Sequence, residues 1–166
     1  SVGIVTLRQA MIFRYFQSRV LKVFVSHAKG QSLGPDAGDV HSYGGFRMSL
    51  NRILREVRAC RICEAELPFG PRPVVQMAST ARLLIVGQAP GSKVHRSGIP
   101  WNDASGDRLR DWLGLDRATF FDEAKIAILP MGFCYPGAGK NGGDNPPRPE
   151  CAPRWHERLL RYLPDL

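Results

Sequence analysis

Residues 81–114 read ARLLIVGQAPGSKVHRSGIPWNDASGDRLRDWLG. The opening run is short and continuously apolar, the pattern of a strand buried on both faces of a parallel sheet. The closing DRLRDWLG places Leu109, Trp112 and Leu113 on one helical stripe, with Ser105 or Asp107 as a cap and Gly114 as a stop. Between them lies a Gly- and Pro-rich loop at the carboxyl end of a strand, where α/β sheets bind ligands.

Working outward, KIAIL at 125–129 predicts a second buried strand that ends at Pro130. The following loop, MGFCYPGAGKNGGDNPPRPECAP, has no periodicity. In RWHERLLRYL, Trp155, Leu159, Tyr162 and Leu163 share a helical face. Upstream, FRMSLNRILREVRAC repeats Phe46, Leu50, Ile53, Leu54 and Val57 at helical spacing, with Arg52, Arg55 and Arg58 on the other positions. This helix delivers Cys60. ELPFGPRPVV is Pro-rich and predicts extended or looped chain. The element order implies a three-layer α/β/α sandwich around a central, mainly parallel sheet. Two parallel strands alone are too few for stability. A third strand is expected from Val74–Gln76 or from the N-terminal segment, and the fold is expected to be incomplete at its C-terminus. We expect an α/β domain over residues 46–166, preceded at 1–45 by a basic extension and the linker GQSLGPDAGDVHSYGG.

The chain has 166 residues and a formal net charge of +8, an excess that favours an anionic partner such as nucleic acid. No apolar run reaches the ~18 residues of a membrane span. The first 35 residues carry Arg8, Arg14, Arg19, Lys22 and Lys29 with no acid before Asp36. That composition fits an organellar leader or an amphipathic extension, and the second is the preferred reading. Charges interrupt MIFRYFQSRVLKVFV, which argues against a secretory signal. We therefore expect a cytoplasmic, monomeric protein with reduced thiols. Cys60-x-x-Cys63 with Cys134 and Cys151 then points to a metal or cluster site rather than disulfides.

What the loop holds can be narrowed by spacing. A dinucleotide turn needs G-x-G-x-x-G, whereas Gly87 and Gly91 are four apart and the next helix is expected well over ten residues on. A phosphate loop at Gly139-Lys140 fails because Cys134 stands where Gly is needed and Asn141 where Ser or Thr is needed. A base-binding loop remains: backbone N–H groups of a Gly-Pro turn can take a carbonyl or anion, and an aromatic ring can stack on a base. Trp101 suits that stacking, or it is a core residue packed behind Pro100, which is the preferred reading on sequence alone.

The run GQAPG, then His95, GIPW and SGDRL, resembles the first motif of the uracil-DNA glycosylase superfamily, closest to its iron–sulfur family 4-like bacterial branch. The matching residues are Gly87, Gln88, Ala89, Pro90 and Gly91, then Gly98, Pro100 and Trp101. The cysteine frame is similar to that branch, and the two signals together cover roughly residues 46–166. The resemblance implies DNA as partner and hydrolysis of the N-glycosidic bond of uracil or a related deaminated base. It implies base contact and water positioning by the Gln88 and Ala89 backbone, with Gly87, Pro90 and Gly91 forming the pocket floor. Trp101 would stack on the base where the branch has Phe. His95 would donate to the leaving base or position water. It also implies a 4Fe–4S cluster on Cys60, Cys63, Cys134 and Cys151. Zinc on the same thiolates, or four unliganded thiols, are the alternatives.

The chain departs from the pattern in four places. Ala89 replaces the acid that the best-known branch carries, and Gln88 replaces a Glu. Pro130 stands where the iron–sulfur branch has a uracil-reading Asn. After Glu150 the one histidine is His156, and no H-P-S motif follows. The competing expectation is therefore a catalytically impaired or truncated iron–sulfur or DNA-binding module.

Overall fold

The computed structural model describes Lys22–Val25, residues 49–140 and residues 142–163. The linker at 30–45, Asn141, Phe46 and the charges at Arg8, Arg14, Arg19 and Lys29 lie outside the described residues.

In chain order the elements are β1 (Lys22–Val25), α1 (Leu50–Arg58), a 3₁₀ turn (Glu64–Glu66), β2 (Leu83–Val86), α2 (Ser92–Ser97), α3 (Ala104–Leu113), α4 (Arg117–Phe120), β3 (Ile126–Ile128) and α5 (Cys151–Leu160). β2 and β3 are parallel, with Leu83 opposite Ile126 and Ile85 opposite Ile128. β1 pairs antiparallel on the other edge of β2, Val25 opposite Leu83. The third strand thus comes from the N-terminal segment, inside the stretch expected to be an extension. Val74–Gln76 contributes a single antiparallel bridge, Gln76 to Ile128.

Side chains alternate across a strand, and that alternation builds the layers. Leu84 and Val86, with Ala127 and Leu129, face Ile53, Leu54 and Val57 of α1 and Trp155 and Leu159 of α5. Ile85, Ile126 and Ile128 face the other way, onto Leu109 of α3 and Phe120 of α4. The expected α/β sandwich, helices on both faces of a small sheet, is what forms.

Local chemistry sets the helix ends. Ser49 caps α1 by accepting from the Arg52 amide, which sets its start at Leu50. Arg55 and Arg58 complement the dipole in its last turn. α3 is capped by Asp103, whose carboxylate accepts from the Gly106 amide at 2.9 Å. Neither Ser105 nor Asp107 caps it; Ser105 donates to Asp103 and Asp107 pairs with Arg110. Gly114 ends the helix in the left-handed region, φ 65°. The stripe expected through Trp112 is corrected: Gly106, Leu109 and Arg110 are buried, and Trp112 is 40% exposed. Positions 106, 109, 110 and 113 share a face, and 112 falls beyond it. The Arg110 guanidinium lies 5.3 Å from the ring centres of both Phe120 and Phe121, which accounts for a buried cation there. α2 and α4 are too short to show a period. The helix after Gly87 accordingly begins at Ser92, much earlier than the spacing argument assumed.

Gln76 is buried, and its side-chain amide donates to the carbonyls of Phe120 at 3.1 Å and Ile126 at 2.9 Å. Gln76→Ala leaves both carbonyls without this donor. We expect a loss of about 1–3 kcal/mol, read as a lower urea midpoint at unchanged slope.

Candidate active site

The parallel register continues past the strand ends. Leu129 N–H donates to Ile85 O at 3.0 Å, Met131 N–H to Gly87 O at 2.8 Å and Gly132 N–H to Gln88 O at 2.8 Å. The loops after β2 and β3 therefore leave the sheet side by side. A cavity of about 120 Å³ opens between them, lined by Gly87, Gln88, Ala89, Pro90 and Gly91 with Trp101, Pro130 and Asp144. Among the described residues no backbone carbonyl takes the amide of Gln88 or Ala89.

Trp101 is the one non-glycine among the described residues with positive φ, 56°. A bulky residue there is strained, and two glycines accommodate it. A Cβ on Gly87 would lie 3.0 Å from the indole, and a Cβ on Gly106 would overlap the Trp101 carbonyl oxygen. Arg110 donates to that same carbonyl at 3.4 Å. The ring packs against the Ile85–Leu109–Phe120 cluster and also lines the cavity. The expected core packing of Trp101 is present, and one part of the same ring is open to the cavity.

Two carboxylates, neither anticipated from the sequence, converge on Gly91. Measured from an ideal Cβ on Gly91, Asp144 Oδ2 lies at 3.4 Å and Asp103 Oδ2 at 4.0 Å. Asp103 Oδ1 is engaged by the α3 cap. Asp144 is exposed and hydrogen-bonded by Tyr135, whose phenol titrates above its usual range through burial first and Asp144 second. Asp144 rides on a tight turn: Gly139 N–H donates to Gly143 O at 2.9 Å and Asn145 N–H to Gly137 O at 2.8 Å. The Asn145 amide also donates to Pro136 O and Ala138 O. The signal in the sequence was GGDN, an acid behind two glycines in an aperiodic loop.

His95 sits on α2 one residue past Val94, which lines the cavity; His95 itself does not. Its ring faces Phe69 and Tyr135, with centroids 6.1 and 6.0 Å away. Burial, then Arg72 and Arg96, pushes its pKa below the usual value, which favours the neutral ring, and its Nδ1 is buried without a partner. Pro130 lines the cavity and offers no donor, as its identity requires. Its carbonyl accepts from His156 Nε2 at 2.9 Å, and His156 stacks on Phe133.

On the neighbouring side of the 130–134 segment, Cys60, Cys63, Cys134 and Cys151 line one small cavity with Leu67, Pro71, Pro73 and Phe133. Among the described residues no three His, Cys, Asp or Glu side chains are spaced to share one metal ion. The Phe133 amide donates to Cys151 Sγ at 3.3 Å. Arg148 also lines this cavity, and its buried Nε has no partner. Burial raises the Cys134 thiol to about 11 and the Cys151 thiol to about 12. Glu150 lines the cavity too, its Oε2 3.8 Å from Cys63 Sγ; the four thiols, with one amide donor and a spare arginine donor beside them, are the residues that could hold an iron–sulfur centre.

Among the described residues no helix is long and apolar enough to cross a membrane. Comparison with family models matches residues 75–166 to the Uracil DNA glycosylase superfamily. The match takes in Gly87–Gly91, His95, Trp101, Cys134 and Cys151, and starts after Cys60 and Cys63.

The raised thiols give a pH test on metal-free protein. Above the ordinary thiol value of 9.0 the unfolded chain releases protons that the folded chain keeps up to about 11 at Cys134. The unfolded state then binds fewer protons, so stability falls as pH rises through this window. A chemical denaturation series from pH 8 upward should show that fall, and Cys134→Ser should lessen it.

Proposed function

This chain belongs to the uracil DNA glycosylase superfamily, and on that premise we propose that it cleaves the N-glycosidic bond of uracil or a related deaminated base in DNA, as a member of the iron–sulfur branch. The observation that carries the proposal is the single cavity in which the Gly87–Gly91 loop, Trp101 and Asp144 meet. A base within a duplex is out of reach, so the target nucleotide is turned out of the stack, at a cost of a few kcal/mol. The Trp101 indole takes its face. The Gln88 and Ala89 amides are the donors available to its oxygens. As the C1′–N1 bond breaks, the electron pair passes to the base and positive charge builds on the sugar. Water then bonds to C1′ and must lose a proton.

Ala89 supplies no carboxylate for that proton. Asp144 stands in, exposed, with the Tyr135 phenol as its partner, and its charge favours the sugar cation. Asp103 is less available because one of its oxygens is held by the helix cap. His95 has a supporting role, packing on the phenol that bonds Asp144. Selection among deaminated bases rests on the loop backbone, since Pro130 has no donor. Cys60, Cys63, Cys134 and Cys151 would hold a 4Fe–4S cluster that ties the Cys60–Cys63 segment to the 134–151 loop and takes no part in the chemistry. A single zinc ion is the weaker fit, given the spacing of the thiols.

A second reading, a DNA-binding module without catalysis, is favoured by Ala89 and Pro130, which leave two expected polar positions empty. One assay separates the two. Anaerobically purified protein should be brown, contain iron and release free base from a uracil-containing oligonucleotide. Asp144→Asn should slow release by about 10²–10⁴-fold, and Trp101→Ala should weaken substrate binding. Iron-replete protein that binds DNA in a salt-dependent way, yet frees neither uracil nor hypoxanthine, would establish the second reading.

A further inference from the structure

Beside the cavity, Phe69 presents an aromatic face that the excision chemistry does not use. Phe69 is 65% exposed. Its ring stacks on Tyr135 with centroids 5.6 Å apart and planes at 23°, and His95 closes the cluster at 6.1 Å. Tyr135 is 5% exposed, so Phe69 rests on a fixed backing and turns the rest of its ring to solvent. A lone exposed apolar residue is ordinary. This one has cationic neighbours.

Arg72 and Arg96 both act on the His95 ring, and Arg96 also acts on Tyr135. Arg72 donates to the Arg96 carbonyl at 3.0 Å, which fixes its place. Both side chains are exposed, and neither pairs with a carboxylate among the described residues. Tyr135 connects the surface to the cavity through its bond to Asp144, and His95 through the adjoining Val94.

A backed ring with two guanidinium groups close by, neither in an ion pair among the described residues, is a combination that binds single-stranded nucleic acid: the π-face takes a base and the cations take the phosphates beside it. We propose that Phe69, backed by Tyr135 and flanked by Arg72 and Arg96, is a stacking platform for the base adjoining the one held in the cavity. This inference rests on the reading of the cavity as a base-excision site and assigns the nucleotide next to it. It predicts a preference for single-stranded or locally opened DNA, in which that neighbour is free to unstack.

The test is binding, followed by fluorescence anisotropy, of a short single-stranded oligonucleotide with one 2′-fluoro-deoxyuridine, whose sugar resists cleavage. Phe69→Leu keeps apolar packing and removes the ring; it should weaken binding on the order of tenfold. Phe69→Trp should retain the wild-type affinity. When the oligonucleotide lacks the base on the platform side of the uridine, wild type should fall to the level of Phe69→Leu, and the substitution should cost nothing more. Unchanged melting temperatures exclude misfolding as the cause. Equal affinity of wild type and Phe69→Leu, or the same loss on oligonucleotides lacking either neighbour, would overturn the proposal. Base release is a separate readout: release with no Phe69 effect removes the platform alone, and a Phe69 effect with no release removes the excision reading alone.

Discussion

Two amide hydrogen bonds, Met131 to Gly87 and Gly132 to Gln88, hold together the end of this molecule that carries the candidate site. They extend the β2–β3 pairing beyond the residues that form strands, so two irregular loops inherit the geometry of the sheet. The cavity with Trp101 then falls on one side of the 130–134 segment and the four cysteines on the other. Pro130 lines the first; Gly132, Phe133 and Cys134 line the second. His156 fixes this segment from behind, through the Pro130 carbonyl and the Phe133 ring.

Trp101 shows how the loop tolerates a strained residue. A left-handed backbone at an aromatic residue persists only when its surroundings over-determine it. Here Gly87 clears space for the ring, Gly106 clears space for the carbonyl, and Arg110 bonds that carbonyl. Arg110 in turn is buried over Phe120 and Phe121. The stacking candidate is thus anchored by the same packing that attaches α3 and α4 to the sheet.

Continuous apolar runs and the longer helical periods were legible in the sequence. LLIV, IAI and the two helices over Leu50–Arg58 and Cys151–Leu160 announced themselves by hydrophobic pattern, and GQAPG by its motif. What escaped was set by tertiary contact. A helix as short as Ser92–Ser97 has no room for a period. The pairing of Lys22–Val25 depends on a strand about sixty residues away. Arg110 reads as a surface residue until Phe120 and Phe121 are seen beneath it. Asp144 lies in an aperiodic loop, and only the folding back of 137–145 brings it to Gly91. The orientation of His95 toward Phe69 and Tyr135 was not legible either.

Gln76 has a consequence for how this chain behaves among its own copies. Its backbone N–H and C=O both pair with Ile128, and its side chain occupies the Ile126 carbonyl. One residue does the work of a short strand, with a side-chain amide substituting for the next peptide along. An apolar strand with unpaired polar groups along its edge is a template for strand addition between molecules. At β3 the Ile128 amide and the Ile126 and Ile128 carbonyls, the groups a foreign strand would seek first, are already taken by Gln76.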